Sequence, residues 1–121
     1  MKATFISAVA CFQLSVACLS SAWGAQCQTS HIKVDKFRVS NEGTLTTSVF
    51  GVLLNTCGEA TGAQLKLTFL DKAGQILRVE DVWPASTNNV PARSDFPFQM
   101  RFPRVEGYDK VDVRVINTKS W

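Results

Sequence analysis

Residues 51–75 read GVLLNTCGEATGAQLKLTFLDKAGQ, and the second half of this stretch carries the plainest pattern in the chain. Leu65, Leu67 and Phe69 alternate with Lys66 and Thr68, the period of two that sets apolar side chains on one face of a strand. Ahead of it, Gly51-Val52-Leu53-Leu54 is apolar on both faces, which predicts a central, covered strand. A glycine-bearing turn separates the two runs. Asp71-Lys72-Ala73-Gly74 then makes a second turn, of the type that ends with glycine in a left-handed conformation. The stretch folds as strand, turn, strand, turn, and Cys57 is its one cysteine.

The same reading extends outward. Residues 31–39 (HIKVDKFRV) place Ile32 and Val34 on one face and then Phe37 and Val39, so the period slips near Asp35-Lys36 as at a β-bulge. Residues 44–55, 63–71, 75–83, 95–102 and 108–119 supply the other strands. Phe96, Phe98, Met100 and Phe102 form one stripe, and Pro97 restricts its strand to a sheet edge. Val111, Val113 and Val115 face inward on the last strand. Residues 84–94 are polar with two prolines and predict a loop, with room for one short edge strand. Six strands, or seven with that loop strand, and no helical spacing predict an all-β, immunoglobulin-like sandwich.

The chain of 121 residues opens MKATFISAVACFQLSVACLSSAWGAQ, with Lys2 as the only charge before His31. A short basic start, an apolar run and small residues at Ala22 and Gly24 make the pattern of a secretory signal peptide over 1–24. The mature domain is then 25–121, with cleavage after Ala22 as the second choice. Lipidation at Cys18 is disfavoured because Leu14 lies four places before it, one too many. An uncleaved anchor is disfavoured by Gln13 and the scattered serines and threonines. A periplasmic or secreted protein without a transmembrane segment in its mature chain is expected. The net charge is only +3, with both signs interleaved, which argues against nucleic-acid or membrane-surface binding.

Removal of the leader takes Cys11 and Cys18 with it and leaves Cys27 and Cys57. Two cysteines in a small exported domain read as one disulfide. The turn between the first two strands tests this. If Asn41-Glu42-Gly43 is a three-residue hairpin loop, Ser40 stands opposite Thr44. Counting back in step along both strands then brings Cys27 opposite Cys57.

Gly51, Leu53 and Asn55 on one strand, followed by Phe69, Leu70, Asp71 and Gly74, resemble the FxLYD-type domain and its relatives. In that family a G-x-V-x-N strand precedes one that ends in an aromatic, an aliphatic residue and Asp before a D-x-x-G turn. The likeness spans roughly residues 45 to 116. It departs at Val90-Pro91-Ala92-Arg93-Ser94, where the family has L-x-P-G, and in the disulfide, which is not a family hallmark. The resemblance implies an immunoglobulin-like sandwich of bacterial exported proteins and no enzymatic activity. From the residues themselves, Gly51 marks a close approach by an aromatic or a neighbouring strand, while Asn55 and Asp71 bond turn backbone.

No catalytic set emerges. His31, the single histidine, lacks a nucleophile and an orienting carboxylate. Glu80 and Asp81 are strand neighbours and point to opposite faces. Arg101, Arg104, Lys110 and Arg114 suggest a basic cluster on the last two strands, diluted by Asp109 and Asp112. No metal-ligand spacing is present, so neither metal nor cofactor is expected. The candidate contact surface is Trp83, Pro84, Asn88, Asn89 and Arg93 in and before the long loop. Trp83 reads equally as a core cap, because it shares a strand side with Leu77 and Val79, and Trp121 reads equally as docking tag or plug. The expected role is a non-catalytic binding or structural module of the cell envelope with a protein partner of unknown identity. The alternatives are a pilin-like strand-exchange subunit and a small periplasmic metal-binding protein.

Closing a loop of about 30 residues stabilises a domain by ~3–4 kcal/mol on the chain-entropy view. Cys27→Ser and Cys57→Ser are therefore expected to lower unfolding free energy by similar amounts in urea titrations, and the double variant by no more. Unequal single effects would contradict a shared bond.

Overall fold

The computed structural model describes residues 27–121; the leader pattern of residues 1–24 and Cys18 lie outside the described residues. After a 3-10 turn at Thr29–His31 the described chain forms six strands: β1 (Ile32–Glu42), β2 (Thr46–Asn55), β3 (Gly62–Leu70), β4 (Ile76–Val82), β5 (Asp95–Pro103) and β6 (Lys110–Lys119). They make two three-stranded antiparallel sheets, β1-β2-β5 and β4-β3-β6. The chain changes sheet after β2, after β4 and after β5. The fold is an all-β sandwich with β2 and β3 as the two central strands. In the loop 84–94 the expected short strand is a single bridge, Thr61 to Val90.

Burial follows that geometry. Val49 and Leu53 on β2 and Leu65, Leu67 and Phe69 on β3 are fully enclosed, and Phe98 joins them from β5. A central strand has neighbours on both sides within its sheet and a facing sheet across the core, so its inward residues lose all contact with water. The expectation that β2 is covered on both faces is corrected: Phe50, Val52 and Leu54 point outward and stay half-buried. Only local cover reaches them, such as the Arg38 guanidinium 4.4 Å from the centre of the Phe50 ring.

The first hairpin departs from its expected register. Its loop is Gly43-Thr44-Leu45, with Glu42 opposite Thr46, rather than Asn41-Glu42-Gly43. Gly43 does take the left-handed conformation, at φ 62°, but at the first loop position. Asn41 stays in the ladder because its side chain is used there. The Thr47 hydroxyl donates to Asn41 Oδ1, and Asn41 Nδ2 donates to the Val105 carbonyl. The bulge lies where the broken period put it, between Asp35 and Arg38, with Lys36 at φ 51°.

Cys27 and Cys57 are disulfide-bonded with Cα atoms 5.7 Å apart. The bond is as expected, but the counting that led to it is not. In the observed register β1 and β2 pair as far as Ile32 and Asn55, and further steps would set Ser30, not Cys27, opposite Cys57. The 3-10 turn at Thr29–His31 takes up the difference, because it advances about 2 Å per residue where a strand advances about 3.3 Å.

Gly51 sits directly opposite Phe98 in the β2–β5 ladder. A Cβ placed on it would lie 2.7 Å from Phe98 Cζ, so the ring lies across bare backbone. Gly51→Ala is expected to cost about 1–3 kcal/mol through overpacking. Combined with Phe98→Leu, it should cost clearly less than the sum of the two single changes in a double-mutant cycle by chemical denaturation. Additive losses would show that the ring and the glycine are independent.

Candidate binding surface

Asn55 ends β2 and is 2% exposed. Its Nδ2 donates to the carbonyls of Glu59, Val90 and Pro91 at 2.9, 3.1 and 3.2 Å, and its Oδ1 accepts the Cys57 amide at 2.9 Å. One side-chain amide thus ties the β2–β3 connection to the loop between β4 and β5. Backbone bonds complete the junction: Thr61 and Val90 exchange both of theirs, Arg93 N–H donates to the Cys57 carbonyl, and Asn55 N–H to Ser94. Next to it, His31 accepts the Gln28 amide on Nδ1, and its carbonyl accepts both the amide and the hydroxyl of Thr56. His31 belongs to the 3-10 turn and not to the first strand, and every bond it makes organises the turn beside the disulfide.

The loop residues singled out from the sequence separate here. Trp83 is half-buried and meets Trp121 edge to face, with ring centres 5.5 Å apart. Asn89 holds the Trp121 backbone from both sides, accepting its amide on Oδ1 and donating to its carbonyl from Nδ2. Lys119 Nζ stands 4.0 Å from the Trp121 ring centre, and the indole lies against Gly62, where a Cβ would come within 2.8 Å of Nε1. Trp121 is therefore a plug over β3 and remains partly exposed. Pro84 is half-buried; Asn88 is exposed and gives its amide to Ala85. Arg93, at φ 51°, is exposed beside a shallow open hollow lined by Leu54, Asn55, Thr56, Ser94 and Asp95.

The remaining fold-motif residues have structural offices. Leu53 and Phe69 are core, and Leu70 is half-buried at the strand end. The Asp71 carboxylate accepts the amides of Ala73 and Gln75, while Gly74, at φ 81°, donates to the Asp71 carbonyl. Glu80 and Asp81 point to opposite faces, opposite Leu67 and Lys66. The suggested basic cluster does not form: Arg101 is on β5 in one sheet, and Lys110 and Arg114 are on β6 in the other. Among the described residues no three His, Cys, Asp or Glu side chains gather into a metal-holding group.

A surface the sequence reading missed lies on β4. Arg78, Glu80 and Val82 stand opposite Phe69, Leu67 and Leu65 on the inner side. Leu77, Val79 and Trp83 therefore share the outer side, and Trp83 does not cap the core. Ile76, Leu77 and Val79 are 64, 43 and 45% exposed on a strand whose second edge has no neighbour among the described residues. The alternation was legible; the face was not. The ladder slips between Phe69 and Leu70, so that Ile76 stands opposite Leu70 and Leu77 has no partner. Inside, the Arg78 guanidinium finds the Pro103 carbonyl at 2.7 Å, which lets a charged residue occupy the core-side rim.

No family model matches the chain, and no curated protein matches it. Among solved structures it is similar in fold to a DUF1425 family member from Shewanella sp. pv-4, with a TM-score of 0.51 and 11% identity over 71% of this chain and 77% of that one. Campylobacter jejuni cj0090 is a weaker likeness, with a TM-score of 0.45 and 17% identity over 76% of this chain and 91% of that one. At such identities the first likeness speaks for an all-β fold.

Asn55→Ala leaves the Glu59 and Pro91 carbonyls and the Cys57 amide without their partner, takes one of two donors from the Val90 carbonyl, and is expected to cost about 2–4 kcal/mol. Asn55→Asp, nearly identical in shape, is expected to cost at least as much, because a carboxylate oxygen then faces the Glu59, Val90 and Pro91 carbonyls. Thermal unfolding of the two variants checks this; a harmless Asp would show that the donated bonds carry little.

Proposed function

We propose that this chain is a small exported, non-catalytic binding module of the bacterial cell envelope, a sandwich of the FxLYD-like kind, periplasmic or secreted. The leader pattern and the disulfide support export, since such bonds form and persist in oxidising compartments. Binding without bond-making is supported by the distribution of polar groups: His31, Asn55, Asp71 and Asn89 are engaged in holding turns and loops.

The observation that carries the reading is the exposed apolar group Ile76, Leu77 and Val79 on β4, along an edge with no partner among the described residues, with Asp81 between it and Trp83 on the same outer side. Contiguous apolar surface on a sheet edge is unfavourable in water and offers both side-chain contact and free backbone groups to a partner. A partner protein that lays an extended segment along β4 gains both.

Capture from envelope extract, comparing the unaltered protein with Leu77→Lys/Val79→Lys, tests this. The expected result is a discrete partner retained by the unaltered protein and lost from the variant, with thermal stability of the two within a few degrees. Equal capture by both, or none by either, would contradict it.

A further inference from the structure

The opposite flank of the sandwich is also open, and its chemistry differs. Among the described residues β6 pairs with β3 on one side only, and β1 with β2 on one side only. The core is thin along this flank. Val34, Phe37 and Val39 on β1 and Val111, Val113 and Val115 on β6 are all half-buried, whereas the inward residues of β2 and β3 are fully enclosed. A small hollow lies between the two strands, lined by Phe37, Val39, Tyr108 and Val111 with Arg38 and Asp109.

The outer face of β6 says what fits there. Reading across the sheet, Asp81, Lys66 and Arg114 lie in one row, so Arg114 has a second cation as its neighbour and open space beyond. The next row is Val79, Thr68 and Asp112, again ending at the open edge. Arg114 and Asp112 are both exposed, and the one ion pair among the described residues is Arg104 with Glu106. A strand added beside β6 should therefore present an acid next to Arg114 and a base next to Asp112, with apolar residues between them facing inward. β6 itself, run antiparallel, has that pattern.

We propose that two copies of this chain pair through β6, antiparallel, with Val113 on the two-fold axis. In that register Asp112 faces Arg114 of the second copy and Arg114 faces its Asp112. Val111 faces the second copy's Val115 at the mouth of the hollow, and Lys110 faces its Ile116. Each three-stranded sheet β4-β3-β6 becomes half of a six-stranded one, and the two thin flanks close on each other. The interface is isologous, as two-fold symmetry requires. It uses the edge remote from β4, so it does not rest on the binding role proposed for that strand.

Sedimentation equilibrium of the purified, disulfide-bonded protein reads the outcome. The unaltered protein is expected to dimerise. Asp112→Arg and Arg114→Asp each set like charges opposite one another twice and should weaken the dimer about tenfold or more. The double variant Asp112→Arg/Arg114→Asp restores both oppositely charged pairs and should recover most of the affinity. Both side chains are exposed, so the variants should keep the parent's thermal stability at low concentration, where the dimer contributes nothing. A protein that stays monomeric at about 100 µM, well above typical weak-dimer constants, would overturn the proposal. So would a dimer indifferent to the single reversals, a double variant no better than either single one, or a dimer abolished by Leu77→Lys on β4.

Discussion

The Asn55 amide donates to carbonyls from two separate loops while its oxygen accepts an amide from the turn that carries Cys57. Everything at that end of the sandwich is referred to this one buried side chain. The turn leaving β2 is positioned by it, and with that turn the sulfur that meets Cys27. The loop from 84 to 94 is held down by the same group, and that loop in turn fixes Asn89, which holds Trp121 against Trp83 and Gly62. A buried amide with its bonds made is worth more than its net hydrogen-bond energy suggests, because any loss leaves several desolvated groups unpaired at once.

The other end is organised by a different device. Arg104 donates through its backbone to Leu45 and through its guanidinium to Gly43, so the β1–β2 turn is held by the segment that leaves β5. Thr47 adds to this by accepting the Val105 amide while donating to Asn41. Between the two ends, the enclosed residues of β2 and β3 make the core. The flanks receive less. With three strands to a sheet, every outer strand is an edge, and two of these edges are protected locally, by the bulge at Lys36 on β1 and by Pro97 on β5. β4 has little of this protection, since Asp81 is the one charge among its outward residues and Ile76, Leu77 and Val79 are apolar.

Much of the architecture was legible. Alternation at Leu65, Leu67 and Phe69, the broken period at Asp35-Lys36, the turn at Asp71–Gly74 and the close approach at Gly51 each have a local cause, and each stands where the residues put it. What escaped was decided by non-local partners. The hairpin register depends on Asn41 finding Val105 and Thr47, which spacing cannot reveal. The cysteines therefore met for a reason other than the one counted from the turn: a tight 3-10 turn corrects a ladder whose own register would have missed. On β4 an alternating strand presents two faces, and the buried one is chosen by its pairing with β3; the charged side went inward because Arg78 has a carbonyl to reach. The surface residues chosen from the sequence were accordingly only half apt. Trp83 is on the outer side as a contact residue should be, but Asn89 is occupied with Trp121, and the side of Leu77 and Val79 was left open between core and contact surface.

The account's central claim is that the Asn55 junction is as firmly held as the enclosed strands, although it consists of loops. Amide hydrogen exchange on the non-reduced protein tests this most directly, since it reads local opening free energies residue by residue. The Cys57, Thr61 and Val90 amides should exchange in the same slow class as Val49, Leu53, Leu65 and Leu67. Exchange of those three at the rate of the exposed turn around Lys72 would contradict it.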